Sequence, residues 1–271
     1  MNSRTSNTSN TSNTGNVANT GNVANEANTA SPWEQADGDQ YVQNISRKIP
    51  GYALQYDLMD TLLTARLDKQ EKQEKQEKQE KPRLLVVGAG GGQEILKLGL
   101  SHPGWSFSGL EPSQSMLQAA KQRLEAAGLL NRVRLHHTEI AAWSSNALYD
   151  AATCMLVLHF VQGRENKLAL LRSIAARLQP GAPLCLSAIC GVPGTSAWEL
   201  QIAGWRLHML GNGIAEDEWQ TFEQSFGVTS HPLPAAEMEK LLEEAGFTAI
   251  SRFFGAYLID GWVAVKAEDQ P

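Results

Sequence analysis

Cationic residues are in the minority: 23 Lys and Arg stand against 29 Asp and Glu, a formal net charge of −6 over 271 residues. A chain of this sign lacks the global basic field that draws a protein onto nucleic acid. Cysteine is scarce and odd in number, at Cys154, Cys185 and Cys190, each in apolar surroundings. That pattern argues for reduced, buried thiols and against a disulfide framework. Nowhere do His, Cys, Asp and Glu fall at metal-ligand spacing, so no metal is expected. No run approaches the ~18–20 apolar residues of a membrane span, and no basic-then-apolar leader opens the chain. These absences predict a soluble, cytoplasmic protein with neither nucleic acid nor membrane as partner.

What is present changes character along the chain. Residues 1–31 repeat Asn, Thr and Ser with almost no large apolar side chain, too little to offset ordering entropy, and predict disorder. Asn7-Thr8-Ser9 and Asn10-Thr11-Ser12 match the glycosylation sequon, which without an export signal reads as an accident of composition. Residues 32–68 form a helical segment. Tyr41, Val42, Ile45 and Ile49 predict a short amphipathic helix stopped by Pro50-Gly51, and Tyr52, Leu54, Leu58, Leu62 and Leu63 predict a second. Together they suggest a brace or lid. Residues 69–81 repeat Lys-Gln-Glu, good helix formers with no apolar face, and read as an exposed linker.

From Pro82 the pattern becomes regular. Leu84–Val87 predicts a strand, Gly88-Ala89-Gly90-Gly91-Gly92 a turn, and Gln93 onward a helix. A glycine turn between strand and helix lets a ligand approach backbone N–H groups at a helix N-terminus. Strand and helix then alternate: Trp105–Leu110, a helix over Ser115–Ala127, Val133–His136, Ala151–Leu158, a helix over Lys167–Leu178, and Leu184–Ile189. This βαβα rhythm predicts an α/β fold with a mostly parallel sheet and helices on both faces. Residues 195–230 interrupt it as a helical insertion carrying Trp198, Trp205, Trp219 and Phe222. Such an insertion can cover a flat or apolar substrate, or its aromatic side chains can be core. A helix over Ala235–Ala245 and strands Phe247–Phe254 and Gly261–Lys266 close the domain, 82–271.

Glu111 ends the second strand about 20 residues beyond the turn, where a carboxylate can accept both hydroxyls of a ribose. A dinucleotide site would place a further glycine at Gln93. Its absence disfavours a pyrophosphate and favours an adenosyl ligand without phosphates.

Taken in order, LLVVGAGGG, GLEPSQSMLQAA, LYDAATCMLVLHFV and LQPGAPLCLS resemble the class I S-adenosylmethionine-dependent methyltransferases, over roughly Pro82–Ile189. The resemblance implies a Rossmann-like fold with a seven-stranded sheet. It also implies S-adenosyl-L-methionine as cofactor and S-adenosyl-L-homocysteine as product. Gly88, Ala89 and Gly90 would lie against the methionine moiety, Glu111 on the ribose, and Pro112 and Met116 beside the adenine. Thr138, Glu139 and Ile140 would sit at the adenine edge. Two positions depart from the pattern: Val86 stands where many relatives carry an acid, and Thr138 where many carry Asp.

The IPGY segment (Ile49–Tyr52) and the C-terminal GWVAVKAED look similar to carboxy-S-adenosylmethionine synthases of tRNA wobble-uridine modification. By that likeness Tyr52 reaches the cofactor, and Arg206 would hold an extra carboxylate. Met155 stands where those enzymes place an asparagine, which favours ordinary methyl transfer to a small-molecule acceptor over carboxyl transfer. Trp205 and Arg206 are the candidate substrate residues. His159, at the end of the Ala151–Leu158 run, is the candidate general base. A cofactor-binding protein without catalysis is the reading from another class, and the oligomeric state, a homodimer included, is left open.

Overall fold

The computed structural model describes residues 38–73 and 81–268. The Asn/Thr/Ser-rich segment with both sequons, Trp33 and most of the Lys-Gln-Glu repeat lie outside the described residues. The strands are β1 (Arg83–Val87), β2 (Ser106–Glu111), β3 (Val133–His137), β4 (Ala151–Met155), β5 (Pro183–Ile189), β6 (Phe247–Ala256) and β7 (Ile259–Lys266). They form one seven-stranded sheet in the order β3-β2-β1-β4-β5-β7-β6. The first five run parallel, and β7 is antiparallel to both β5 and β6. The expected α/β architecture is present.

β1, β4 and β5 are buried on consecutive residues, not alternate ones. Helices cover both faces of these central strands, so neither set of side chains can be polar. Chain order reverses beside β1: β2 and β3 build outward on one side, β4 and β5 on the other. That reversal opens a crevice at the carboxyl ends of β1 and β4.

Eight helices accompany the sheet among the described residues: α1 (Gly38–Lys48), α2 (Tyr52–Gln73), α3 (Gln93–Ser101), α4 (Gln114–Ala126), α5 (Arg164–Ala175), α6 (Ser196–Gly211), α7 (Glu216–Gln224) and α8 (Ala235–Glu244). Leu168 and Leu171 of α5 and Leu241 and Leu242 of α8 pack on Ala152, Cys154 and Trp262 on one face. On the other face Met59 and Leu63 of α2 and Ile95 and Leu98 of α3 pack on Leu84, Val86 and Met155. Each such side chain removed from water stabilises the fold by roughly 1.5–3 kcal/mol. The buried face of α2 is Tyr56, Met59, Leu63 and Leu67. Leu54, which the periodicity puts on the apolar face, is 53% exposed. All three cysteines are free and buried.

Two expectations change. The apolar run Ala151–Leu158 is strand only as far as Met155. Leu156 takes φ 58° and the chain then enters a 3₁₀ turn at Leu158–Phe160. Apolar composition marked burial there, not extension: Leu158 is fully buried inside the turn. The aromatic residues of the insertion form a core of their own. Trp198, Trp205 and Trp219 pack with Ile45 and Ile49 of α1 and with Ile259 of β7, joining α6 and α7 to the N-terminal helices.

Candidate active site

The Gly88–Gly92 turn is built by backbone sterics. The N–H groups of Gly88 and Ala89 both donate to the Leu110 carbonyl at 2.9 Å, tying the turn to β2. Gly88 has φ +72°, and a Cβ there would meet Val157 Cγ2 at 2.3 Å. Gly90 has φ +47°, but the nearest side-chain atom to its missing Cβ is Met116 Cε at 3.5 Å. Gly88 therefore serves packing, and Gly90 leaves room for a ligand.

Glu111 faces that room. Its Oε2 accepts the Gly90 N–H at 2.9 Å and its Oε1 accepts the Ser113 N–H at 3.0 Å. Ser113 caps α4, its Oγ accepting the Met116 N–H at 3.3 Å. Burial pushes the Glu111 carboxyl above its ordinary range, against the opposing pull of the two N–H donors. Each oxygen keeps a lone pair for a further donor, which is what a vicinal diol offers.

A cavity of about 660 Å³ opens from this point, within the size range of small-molecule sites. Gly88, Gly90, Glu111, Pro112 and Met116 line one end, joined by Thr138, Glu139 and Ile140 from the loop after β3. Met155, Leu156 and Val157 form the floor. Phe160, Asn166 and Ser173 line the other end, with Val228, Thr229 and His231 from the segment after α7. Among the described residues that line it there is neither Lys nor Arg.

Leu156, the strained floor residue, is held from below. Its N–H lies 2.8 Å from the Ser187 carbonyl and 3.2 Å from Ser187 Oγ, and that hydroxyl donates to Gln55 Oε1 at 3.0 Å. The turn beyond it is clamped by Lys167, whose Nζ donates to the carbonyls of Leu158 and Val161 at 2.6 Å each. Burial lowers the Lys167 ammonium to about 8. Strain of this kind persists only where surrounding bonds fix it, and it clusters at functional sites.

Several candidate residues lie elsewhere. Ala89 is buried, with its methyl turned toward Gly109. Tyr52 packs edge-on against Tyr56 with ring centroids 5.0 Å apart, behind the cavity. His159 is buried in the 3₁₀ turn, where its Nδ1 accepts the Ile189 N–H at 3.3 Å and its ring lies 4.0 Å from that of Phe160. Burial, and then the Lys167 charge, lower it to about 3. Because β4 stops at Met155, residue 159 turns into the core and does not line the cavity. Trp205 is fully buried and donates its Nε1–H to the Lys48 carbonyl at 2.8 Å. Arg206 is on the outer face of α6, its Nε donating to Glu216 Oε1 at 3.1 Å. Neither reaches the cavity, and among the described residues no cation lines it for a carboxylate.

The cavity instead brings in Tyr41, Phe160 and His231, none of which the local pattern marks as a site residue. The His231 N–H donates to the His159 carbonyl at 2.6 Å, so the buried histidine helps position the lining one. Only a side chain in a Ser-His-Pro loop after the insertion could have hinted at His231, and its place depends on how that loop folds back. Behind the turn stands Glu94 of α3, 3% exposed, with Oε1 lacking any partner.

A family model described as a methyltransferase domain matches residues 85–184. Over that stretch the chain is similar to a methyltransferase domain. Over 131 residues the chain is 28% identical to a ubiquinone biosynthesis O-methyltransferase of Xanthomonas campestris pv. campestris, covering 48% of this chain and 53% of that one. The chain thus spans about half the length of the curated relatives it matches. Among solved structures, an O-methyltransferase family protein from Burkholderia thailandensis is similar at TM-score 0.54 and 15% identity, covering 79% of this chain and 60% of that one. An S-adenosylmethionine-dependent methyltransferase from Methanosarcina mazei is similar at TM-score 0.51 and 18% identity, covering 71% and 95%. Among the described residues no helix is long and apolar enough to cross a membrane.

Proposed function

We propose that the cavity binds S-adenosylmethionine and that the domain transfers its methyl group to a small hydroxylated acceptor. The observation that carries this reading is Glu111, a buried carboxylate oriented by the Gly90 and Ser113 N–H groups at the cavity wall. The fit to the cofactor is chemical. Glu111 offers acceptors for two ribose hydroxyls, Gly90 offers room, and Pro112, Met116 and Ile140 offer apolar flanks for a purine. A wall without Lys or Arg suits a ligand with no phosphates and a positive sulfonium. The cofactor supplies a methyl group activated by that sulfonium, so the protein needs no covalent intermediate.

The protein's own part is alignment, exclusion of water and removal of a proton. Phe160 and Val228 present apolar surface at the far end of the cavity, and His231 is the lining side chain able to take a hydroxyl proton there. A hydroxyl acceptor accords with the O-methyltransferase name of the curated relative. Calorimetric titration with S-adenosylmethionine and S-adenosylhomocysteine tests the reading: micromolar binding of either is expected, and no binding at millimolar concentration overturns it.

A further inference from the structure

The outer face of α6 is apolar where a surface helix is ordinarily polar. Leu200 is 77% exposed and Leu207 is 67% exposed. Ala203, also exposed, and Gly204 stand between them. Positions 200, 203, 204 and 207 follow the spacing that keeps residues on one side of a helix. The opposite side, with Trp198, Ile202, Trp205 and Met209, is already spent on the core shared with α1 and α7. A helix apolar on both sides is one that is covered on both.

The adjoining hairpin widens this face. Tyr257 is the first of the two residues joining β6 to β7 and takes φ 48°, where short hairpin turns ordinarily carry Gly. A bulky residue in that region is strained, and its surroundings must hold it there. Its ring lies against α6, where a Cβ on Gly204 would meet Tyr257 Cε1 at 2.7 Å. The ring stays exposed beside the stripe.

Spacing and charge both point to a second copy of the chain as the cover. A twofold axis crossing α6 between positions 203 and 204 lays two copies of the helix antiparallel. Leu200 of each copy then meets Leu207 of the other, and the small residues at 203 and 204 let the backbones approach. Glu199 and Arg206 are seven apart, like the leucines, and share one flank of the stripe. The same axis brings like flanks together, so Glu199 of one copy comes beside Arg206 of the other, offset by about 3 Å along the helix. Glu199 is exposed, and Arg206 gives Nε and Nη2 to Glu216, which leaves Nη1 for this contact. Such a rim pair fixes orientation more than affinity. Residues 1–31 and 74–80 carry no Leu, Ile or aromatic side chain with which to cover the stripe instead.

We propose that α6 is a dimerisation surface, packing antiparallel on α6 of a second copy about that twofold axis. Among the described residues that line the cavity none lies on α6. Each copy therefore keeps its own open site, and the inference stands whether or not the cofactor reading holds.

Sedimentation of the full chain is the first test. Wild type should be dimeric at about 10 μM. Leu207→Glu sets a carboxylate against Leu200 of the other copy and should weaken the dimer about 100-fold or more. Leu100→Glu, at an exposed leucine of α3, should leave it intact. Circular dichroism should match wild type in both variants. Cross-linking tests the register, and the native cysteines, all buried, give no background. Under mild oxidation Leu200→Cys should link to Leu207→Cys in a mixture of the two proteins. Leu200→Cys alone should not link to itself, because those positions lie about 10 Å apart along the helix pair and a disulfide spans about 4 Å between Cβ atoms. Wild type that remains monomeric at about 100 μM overturns the inference. So does a dimer that Leu207→Glu leaves intact, or one in which Leu200→Cys links to itself as readily as to Leu207→Cys.

Discussion

The two ends of the cavity are built by different means. At the Glu111 end, the turn, the β2 terminus and the Ser113 cap are joined by backbone donors, so local sequence dictates where each functional atom lies. At the far end, Phe160, Ser173 and His231 meet through a 3₁₀ turn, a helix face and a loop beyond the insertion. No short motif encodes that meeting. A cofactor common to many proteins can be held by a local device, whereas an acceptor site is assembled by tertiary packing.

The largest effect should separate packing from chemistry in the aromatic insertion. Trp205→Ala removes a fully buried indole from the core shared by α1, α6 and α7. Chemical denaturation should show a loss of about 3–5 kcal/mol. Molecules that remain folded should bind S-adenosylhomocysteine as wild type does. A selective loss of ligand binding with stability unchanged would return Trp205 to the site.

Glu111→Ala comes next, and it tests the local end directly. It removes the ribose acceptors and strands the N–H groups of Gly90 and Ser113. S-adenosylhomocysteine affinity should fall about 100-fold, the sum of two hydrogen bonds to a charged acceptor. Titration calorimetry reads this, and a loss of less than about three-fold would place the ribose elsewhere.

How much of this was readable in the chain follows from the same division. β1, the glycine turn and Glu111 were legible because residue spacing fixes their geometry. The end of β4 was not: LVLHF is apolar in either an extended or a turned conformation, and the choice is made by Leu156 at φ 58° under the hold of Ser187. With that choice His159 moves from the crevice into the core. The tryptophans were ambiguous for a related reason, since an aromatic side chain looks the same whether it meets a ligand or Ile45 and Ile49. Glu94 is inconspicuous in the sequence because a glutamate in the first turn of a helix is ordinary on a surface. Only burial makes it unusual.

The two histidines sharpen the comparison further. His231→Gln should lower the rate of methyl transfer about 10²-fold while leaving cofactor affinity intact, the range for loss of a general base. His159→Gln should act on stability and its pH dependence instead. The folded-state value of His159 is depressed to about 3, so the unfolded chain takes up its proton first. His159 therefore contributes stability that is present above the unfolded value near ~6.5 and is lost as pH falls toward 3, by at most ~1.4 kcal/mol per pH unit. Melting curves between pH 7 and pH 4 should be less steeply acid-sensitive in His159→Gln than in wild type. A rate loss in His159→Gln larger than in His231→Gln would reverse the assignment.

The smallest effect is expected at Arg206, and it is informative for that reason. Its guanidinium meets Glu216 with both side chains exposed, 41% and 45%. Solvent screens such a pair, which contributes ~0–1 kcal/mol at most. Arg206→Ala should therefore leave the melting temperature within about 2 °C of wild type for a domain of this size. Cofactor affinity and methyl transfer should be unchanged. If Arg206 swung inward to hold a carboxylate, ligand-bearing protein would behave differently: S-adenosylmethionine carrying an extra carboxyl would bind wild type more tightly than Arg206→Ala. Equal affinities for that ligand are expected, because reaching the cavity would require α6 to turn its buried face, with Trp198, Ile202, Trp205 and Met209, out of the core it forms with α1. Such a rotation exposes several fully packed side chains at roughly 1.5–3 kcal/mol each, more than one charged hydrogen bond returns.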